Sequence, residues 1–513
     1  MTDGRPKSDD GPTMADGGQP KTGDGQPKTG DGPTMTGDGQ PMTDEQSITG
    51  PATGEQSAPD VQPTAGARRP VPVPAPSPPP GTFCPAHASE GAPHRLAPGG
   101  AGRAAADALL REAGAVVPVL LPGEVPAVAV TRHAVLREVL AHPEVAKNAC
   151  HFAALHDGTV PPGWPLTTFA TVDGMTTADG ADHRRLRGLV TKVFTPWRVA
   201  ALRPRVVELT AGLLDGLPGA AAADGTVDLR RHFAYPLPMS VICELLGVDA
   251  ALRDRLHELS NLIVGTTGTA DEVQAANREI TAVLGQVVEA RRADPGDDLT
   301  SALIAAQEED GDRLSARELV GTLLLMIVAG HETTLNLITN AVRALCTGRE
   351  QLELVRAGRA TWDDVVEETL RHDSPVAHFP FRYPVRDLEL GGTVVPRGTP
   401  MLASYSAAGR DPEAYGPDAD RFDVTRRPAA RHLSFGHGPH YCLGAPLARL
   451  EATVALEALF TRYPALDLAV PDAELPPHQS FIGNSTHVLP VRLTGSPADH
   501  GRGAGEPGSR AGR

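Results

Sequence analysis

The sequence predicts an α-rich mixed domain with a small sheet at one side, set between segments that do not fold. Three observations carry this. Of 513 residues, 54 are Gly and 49 Pro, well above ordinary usage, yet no Phe, Tyr or Trp occurs before Phe83 and all six Tyr lie at or beyond Tyr235. The excess is therefore concentrated at the start. Downstream, apolar residues recur at helical spacing over many long segments, whereas runs with strand character are few and short.

Taken in order, residues 1–82 hold a degenerate heptapeptide, GQPKTGD at 18–24 and 25–31, with the related GDGQPMT at 37–43. Apart from Met and Ala, the first 60 residues offer one large apolar side chain, Ile48. Nothing there offsets the entropy of ordering the backbone, so the expectation is a disordered acidic tail. PVPVPAPSPPP at 70–80 reads as a stiff Pro-rich linker. A single domain over 83–495 follows, and 496–513 reads as a disordered Gly-rich tail. Within the domain the spacing predicts helices over 101–113, 132–141, 181–194, 199–215, 238–246, 250–263, 270–292, 298–307, 315–346, 350–356, 361–372 and 443–462. Strands are expected at 116–121, 126–131, 388–390, 393–395 and 399–404, the third and fourth joined at Gly391-Gly392 as a tight hairpin.

Net charge is −16, from 47 basic and 63 acidic residues, and without clustered Lys and Arg no nucleic-acid partner is expected. The five cysteines, Cys84, Cys150, Cys243, Cys346 and Cys442, contain no C-x-x-C pair, which argues for a reducing cytoplasm. The most apolar run, Leu319 to Ala329, is too short to span a bilayer, so no membrane partner is expected either.

The densest chemical signal is FGHGPHYCLGAPLARLE at 435–451. Cys442 stands among Gly436, Gly438 and Gly444 just before a helix, where unpaired N–H groups favour thiolate, the form that ligates metal. With Phe435, Gly438, His440, Cys442 and Gly444 in place, the run resembles the haem-binding loop of the cytochrome P-450 superfamily, the haem-thiolate monooxygenases. The resemblance implies that fold, with haem b held between a long central helix and the Cys-bearing loop, and Cys442 as the axial iron ligand. His440 stands where many members carry Arg.

A second constellation follows on the helix at 315–346. Met326, Ala329, Gly330, Thr333 and Leu337 share one face by helical spacing, and the small Ala329 and Gly330 leave room for something bound there. Beside them stand Glu332 and Thr333, costly in an apolar helix unless bonded or useful. AGHETT at 329–334 matches the family's acid-alcohol pair, which implies a proton relay serving oxygen activation. By the same resemblance Glu368 and Arg371, completed by Arg421, lock the Cys442 loop. His183, Arg187, Arg382 and His440 are then the candidates for the haem propionates, with Phe435, Gly436, Ala448, Ala329 and Gly330 also against the cofactor.

The implied activity inserts one oxygen atom from O2 into a hydrophobic small molecule. The stretch 163–196 is similar to bacterial members that oxidise bulky natural products, macrolide-, steroid- or polyketide-like. No flavin or nicotinamide fingerprint is seen, so electrons are expected from a ferredoxin with its NAD(P)H-ferredoxin reductase, docking near Arg426, Arg427 and Arg431. A haem protein that does not oxygenate and a peroxide-driven peroxygenase stay open as alternatives.

Overall fold

A computed structural model describes residues 92–494 except 267, 307–313 and 428–429. The expected tails at 1–82 and 496–513, and Cys84, lie outside the described residues. Among the described residues, the helices of seven or more residues are α1 (Arg103–Ala113), α2 (His133–Ala141), α3 (Gly180–Val193), α4 (Arg203–Ala220), α5 (Pro236–Leu246), α6 (Arg253–Val264), α7 (Ala270–Ala293), α8 (Leu299–Ala305), α9 (Ala316–Thr347), α10 (Arg349–Arg356), α11 (Trp362–His372) and α12 (Ala445–Arg462). Each expected helix has its counterpart. Capping boxes start three of them, Thr269 with Glu272, Ser315 with Glu318 and Thr361 with Asp364. In each, a hydroxyl and a carboxylate exchange bonds with orphan N–H groups of the first turn. Helix α12 begins at Ala445, two residues later than expected, because Gly444 is its N-cap.

The strands are β1 (His94–Arg95), β2 (Val116–Leu121), β3 (Val125–Val130), β4 (Val145–Ala146), β5 (Thr226–Asp228), β6 (His378–Pro384), β7 (Leu388–Leu390), β8 (Thr393–Val395), β9 (Met401–Ser404), β10 (Asp467–Leu468) and β11 (Pro490–Arg492). They form a six-stranded sheet ordered β1-β2-β3-β9-β6-β4, a three-stranded sheet β10-β11-β5 and the expected hairpin β7-β8. Strand β6 is the main element that the sequence pattern hid. Its segment HFPFRYP carries two prolines, which argue against a ladder. The chain accommodates them with a register shift between Phe379 and Arg382 on β9. Such an irregularity re-aims a side chain, here that of Arg382. Phe381 and Tyr383 of the strand cluster with Phe152 and Trp164, the stacked pairs being Phe152–Tyr383 and Trp164–Phe381 with ring centroids 5.3 and 5.5 Å apart.

Helix α9 is the centre of the main core, packed against α5, α7, α11 and α12. Leu323, Ile327, Leu335 and Ile338 meet Leu237 and Ile242 of α5 and Ala455 and Leu459 of α12, all buried. Each such side chain contributes roughly 1.5–3 kcal/mol of burial free energy. Among the described residues α9 alone is long and apolar enough to cross a membrane, and more than half of its most apolar window is enclosed by the fold.

Candidate functional site

The Cys442 loop is a tightly turned segment. Gly436 and Gly438 both adopt positive φ, 73° and 72°, and a Cβ on Gly438 would lie 2.8 Å from the Leu140 carbonyl oxygen. Gly438 is therefore required where the loop packs on α2. The Cys442 N–H donates to the Phe435 carbonyl at 2.9 Å, and Ala448 N–H returns to Gly444 O at 2.9 Å. Burial pushes the Cys442 thiol up, while the N–H groups of Gly444 and Ala445 and the charges of Arg187 and Arg449 oppose it. The helix start alone does not win, and a coordinated cation would complete the deprotonation.

Two ion-pair clusters hold this loop. Arg371, 2% exposed, is bidentate to Glu368 at 2.7 Å and donates to the carbonyls of Gly409, Ala419 and Arg421 at 2.7–2.8 Å. Glu368 also accepts from Asp423 N–H at 2.7 Å and from Arg426 Nε at 3.4 Å. The third arginine on the carboxylate is thus Arg426; Arg421 contributes its carbonyl, which corrects the expected triad. Arg426 is consequently largely enclosed in this cluster, leaving Arg427 and Arg431 as the exposed members of the expected docking site. In the second cluster Glu367 pairs with Arg449 at 2.5 Å and His432 at 3.1 Å, and the Arg449 guanidinium lies 4.6 Å from the Phe435 ring centroid.

The expected propionate partners do converge. The His183 and His440 rings are 4.0 Å apart, and Arg187 donates to the Tyr441 carbonyl at 2.7 Å. Arg382, Lys147 and Arg187 all lie close enough to depress His440, which burial, His183 and these cations push down to about 2. Lys147 and Tyr405 belong to the same group, the Tyr405 hydroxyl in hydrogen-bond reach of Arg382. Cations so gathered repel one another unless an anion lies among them. Two of the donors, His183 Nε2 and Arg382 Nη1, are buried without a partner. A buried donor left unmade costs about 1–3 kcal/mol, so the cluster fits a dianionic group such as the two haem propionates.

Helix α9 divides the residues that the sequence places on one face. Ala329 is exposed in the middle of this core helix, and Met326 and Thr333 on the same strip are half-buried. Leu337 is buried in the core, and a Cβ on Gly330 would meet Ile242 of α5 at 3.2 Å. Gly330 thus also packs on α5, and Leu337 is taken up by the core. Thr333 Oγ1 donates back to the Ala329 carbonyl at 2.7 Å. Glu332 turns away into a buried cluster, its Oε1 accepting from His478 Nε2 at 3.2 Å, Arg230 Nη2 at 3.3 Å and Asn336 Nδ2 at 3.4 Å. Burial raises this carboxyl, but the His478 bond and the Arg230 charge outweigh it and hold the group down to about 2.

A cysteine thiol on a helix N-terminus, buried cationic donors beside it and a polar break in a central apolar helix define a haem-thiolate protein. Comparison agrees. The family model for cytochrome P450 matches residues 360–485. The 2-hydroxy-5-methyl-1-naphthoate 7-hydroxylase of Streptomyces carzinostaticus is 40% identical over 407 residues, 79% of this chain and 98% of that protein. The 6-deoxyerythronolide B hydroxylase of Saccharopolyspora erythraea is 43% identical over 328 residues, 64% of this chain and 79% of that protein. Among solved structures, CYP154C4 from Streptomyces sp. W2061 matches with TM-score 0.76 and 46% identity, covering 79% of this chain and 98% of that one. The chain belongs to the cytochrome P450 family, with that family's fold and haem-iron cofactor, and is a monooxygenase.

Sequence reasoning missed Lys147, Tyr405, Arg230, Asn336 and His478. Asn336 stands one turn from Glu332 on the long helix, but the others are lone residues far apart in sequence, for which the available signal was a Lys in the apolar context EVAKNA. A cleft of about 710 Å³ lined by Arg343, His372, Arg421 and Asp472 shares no residue with the Cys442 loop and is a separate feature of the surface.

Proposed function

We propose that this monooxygenase binds haem b through Cys442 and hydroxylates a bulky hydrophobic natural product, macrolide-, steroid- or polyketide-like. Electrons come from a separate ferredoxin and its NAD(P)H-dependent reductase, in the cytoplasm. The observation that carries the reading is the pair of unpartnered buried donors, His183 Nε2 and Arg382 Nη1, beside the Cys442 loop. When bound, the haem supplies the reductive activation of dioxygen, one atom of which enters the substrate while the other leaves as water. Cys442 would hold the iron as thiolate. His183, Arg187, Arg382 and His440, with Lys147 and Tyr405, would orient the cofactor through its propionates. Phe435, Gly436, Gly444 and Ala448 would lie against it from the side of Cys442, and Ala329 with Gly330 would leave room for it on α9. Glu332 and Thr333 would hold and pass protons, Thr333 by exchanging its bond to Ala329 O for one to the reacting oxygen. The domain is read as 83–495.

The relay pair separates this reading from an oxygen-binding or peroxide-driven protein, neither of which needs it. Reduced, CO-treated protein is expected to show a thiolate-type Soret band, and Cys442→Ser to lose it. Thr333→Ala should consume NADPH at a comparable rate with about tenfold less hydroxylated product. Unchanged coupling in that variant would refute the relay. The substrate class is tested by screening such compounds for a haem spin-state shift.

A further inference from the structure

The cleft of about 710 Å³ lies where three helix ends meet a loop: the N-terminus of α1, the C-termini of α9 and α11, and the segment 472–486. Its volume falls within the roughly 300–1,000 Å³ that holds a small organic molecule. Four arginines and three carboxylates line it, and they differ in how they are engaged. Asp472 is held by two nitrogens of Arg343, at 2.5 Å from Nε and 2.9 Å from Nη2. Asp373 accepts from Asn484 Nδ2 at 2.8 Å and has Arg343 Nη1 3.9 Å away. Glu350 is exposed in the first turn of α10. Both aspartates are thus matched, and Arg343 is committed to them.

The other three arginines are not matched in this way. Arg103, 8% exposed, gives Nη1 and Nη2 to the carbonyls of Phe481 and Ser480 at 2.9 and 2.6 Å, and its Nε is buried without a partner. Its own carboxylate, Asp107 one turn along α1, is shared with His378 at 3.4 Å. Arg410 gives Nε to the His372 carbonyl at 2.7 Å; the carboxylate within reach of it, Asp420 at 4.0 Å, already pairs with Arg111 at 3.1 Å. His372 adds no charge, since burial and Arg410 hold it down to about 4. Arg421 is exposed and makes no ion pair among the described residues. Because Arg426 fills the place beside Glu368 that the sequence gives to Arg421, the Arg421 guanidinium is left to the cleft.

Two neutral features point the same way. Gly102, the N-cap of α1, has no side chain with which to cap the helix, and Ala104 and Ala105 of that first turn line the cleft. A helix start left open in this way favours an anion. Thr486, 2% exposed, also lines the cleft, and its hydroxyl has no partner. A buried polar group left unmade is costly unless something from outside the chain completes it.

We infer that this cleft is a second ligand site, separate from the haem pocket, and that it takes an organic anion: a carboxylate or phosphate monoester on an apolar body. Arg410, Arg421 and the first turn of α1 would receive the head, since guanidinium geometry suits both groups. Ala344, Phe422 and Leu475 supply apolar wall for the body. The lining includes neither the Cys442 loop nor the cations around His440, so the site needs no residue proposed to hold the haem.

The test is calorimetric titration of the full haem-loaded chain with 1-naphthoate, 1-naphthyl phosphate and the uncharged 1-naphthamide, after clotrimazole has ligated the iron and filled the haem pocket. One site per chain is expected for the anions, the tighter of the two identifying the head group, with the amide at least about tenfold weaker. Arg421→Glu should weaken the anions by about tenfold or more and Thr486→Val by about threefold, both with an unchanged CO spectrum. Thr486→Val removes a hydroxyl that has no partner in the chain, so it should fold as wild type even if Arg421→Glu does not. Equal binding of the amide overturns the anion assignment. Binding that vanishes once clotrimazole is present places the anion in the haem pocket, and anion affinities unmoved in both variants place it elsewhere; either result overturns the site, as does the absence of binding at millimolar probe.

Discussion

Glu368 and Glu332 are both buried carboxylates on helices of the main core, each facing an arginine, and they differ in how completely they are bonded. Around Glu368 both oxygens are used, by Arg371, Asp423 N–H and Arg426. Around Glu332 three donors crowd one oxygen and the other has none. A saturated cluster has one low-energy arrangement and fixes its surroundings, here the loop that carries Cys442. An unevenly bonded one leaves a buried acceptor unmet, a cost that the low local dielectric magnifies. The first geometry suits a clamp and the second a proton relay, although both motifs look alike as short polar interruptions in a helix.

The largest expected effect lies on the clamp side. Glu368→Ala leaves Arg371 buried without its counter-charge, which costs roughly 3–5 kcal/mol and should abolish haem incorporation. Denaturant unfolding and the Soret absorbance of purified protein measure this, and a stable, haem-loaded variant would remove the distinction between the two carboxylates. On the relay side, Glu332→Gln should keep haem and fold while losing part of the acid sensitivity. A carboxyl held at about 2 rather than the ordinary 4.5 contributes stability above the ordinary value, and that contribution is lost as pH falls toward 2. The gap in urea midpoint between about pH 6 and about pH 3.5 should therefore be narrower in Glu332→Gln than in wild type. An equal gap would mean that the buried ion cluster contributes nothing to acid unfolding. The smallest effect is expected from removing residues 1–82: haem content and CO spectrum unchanged, with any loss of haem placing part of the site in that segment.

Much of the site is legible in the sequence because its signals are local. Cys442 with its glycines and the Glu368–Arg371 spacing each depend on contacts within a turn or two. Local contacts also explain why the helices fall where the apolar spacing puts them. What the sequence did not show has a different cause. Gly330 and Gly438 also lie where α5 and α2 approach, a requirement imposed by chain segments far away in sequence. The choice of Arg426 over Arg421 depends on how the loop after Tyr415 folds back on α11. Strand β6 was hidden because its prolines argue against a ladder, and only the register shift against β9 makes room for them.

The sequence by itself determined the helical frame, the thiol proposed to hold the cofactor and the presence of an acid beside an alcohol in α9, since each rests on near neighbours along the chain. Only the tertiary structure decided which cations gather around His440, and that Glu332 faces Arg230 and His478 instead of the strip holding Thr333. Burial sets the charge of such groups, and burial is a property of the packed chain: no spacing rule relates residue 332 to residues 230 and 478.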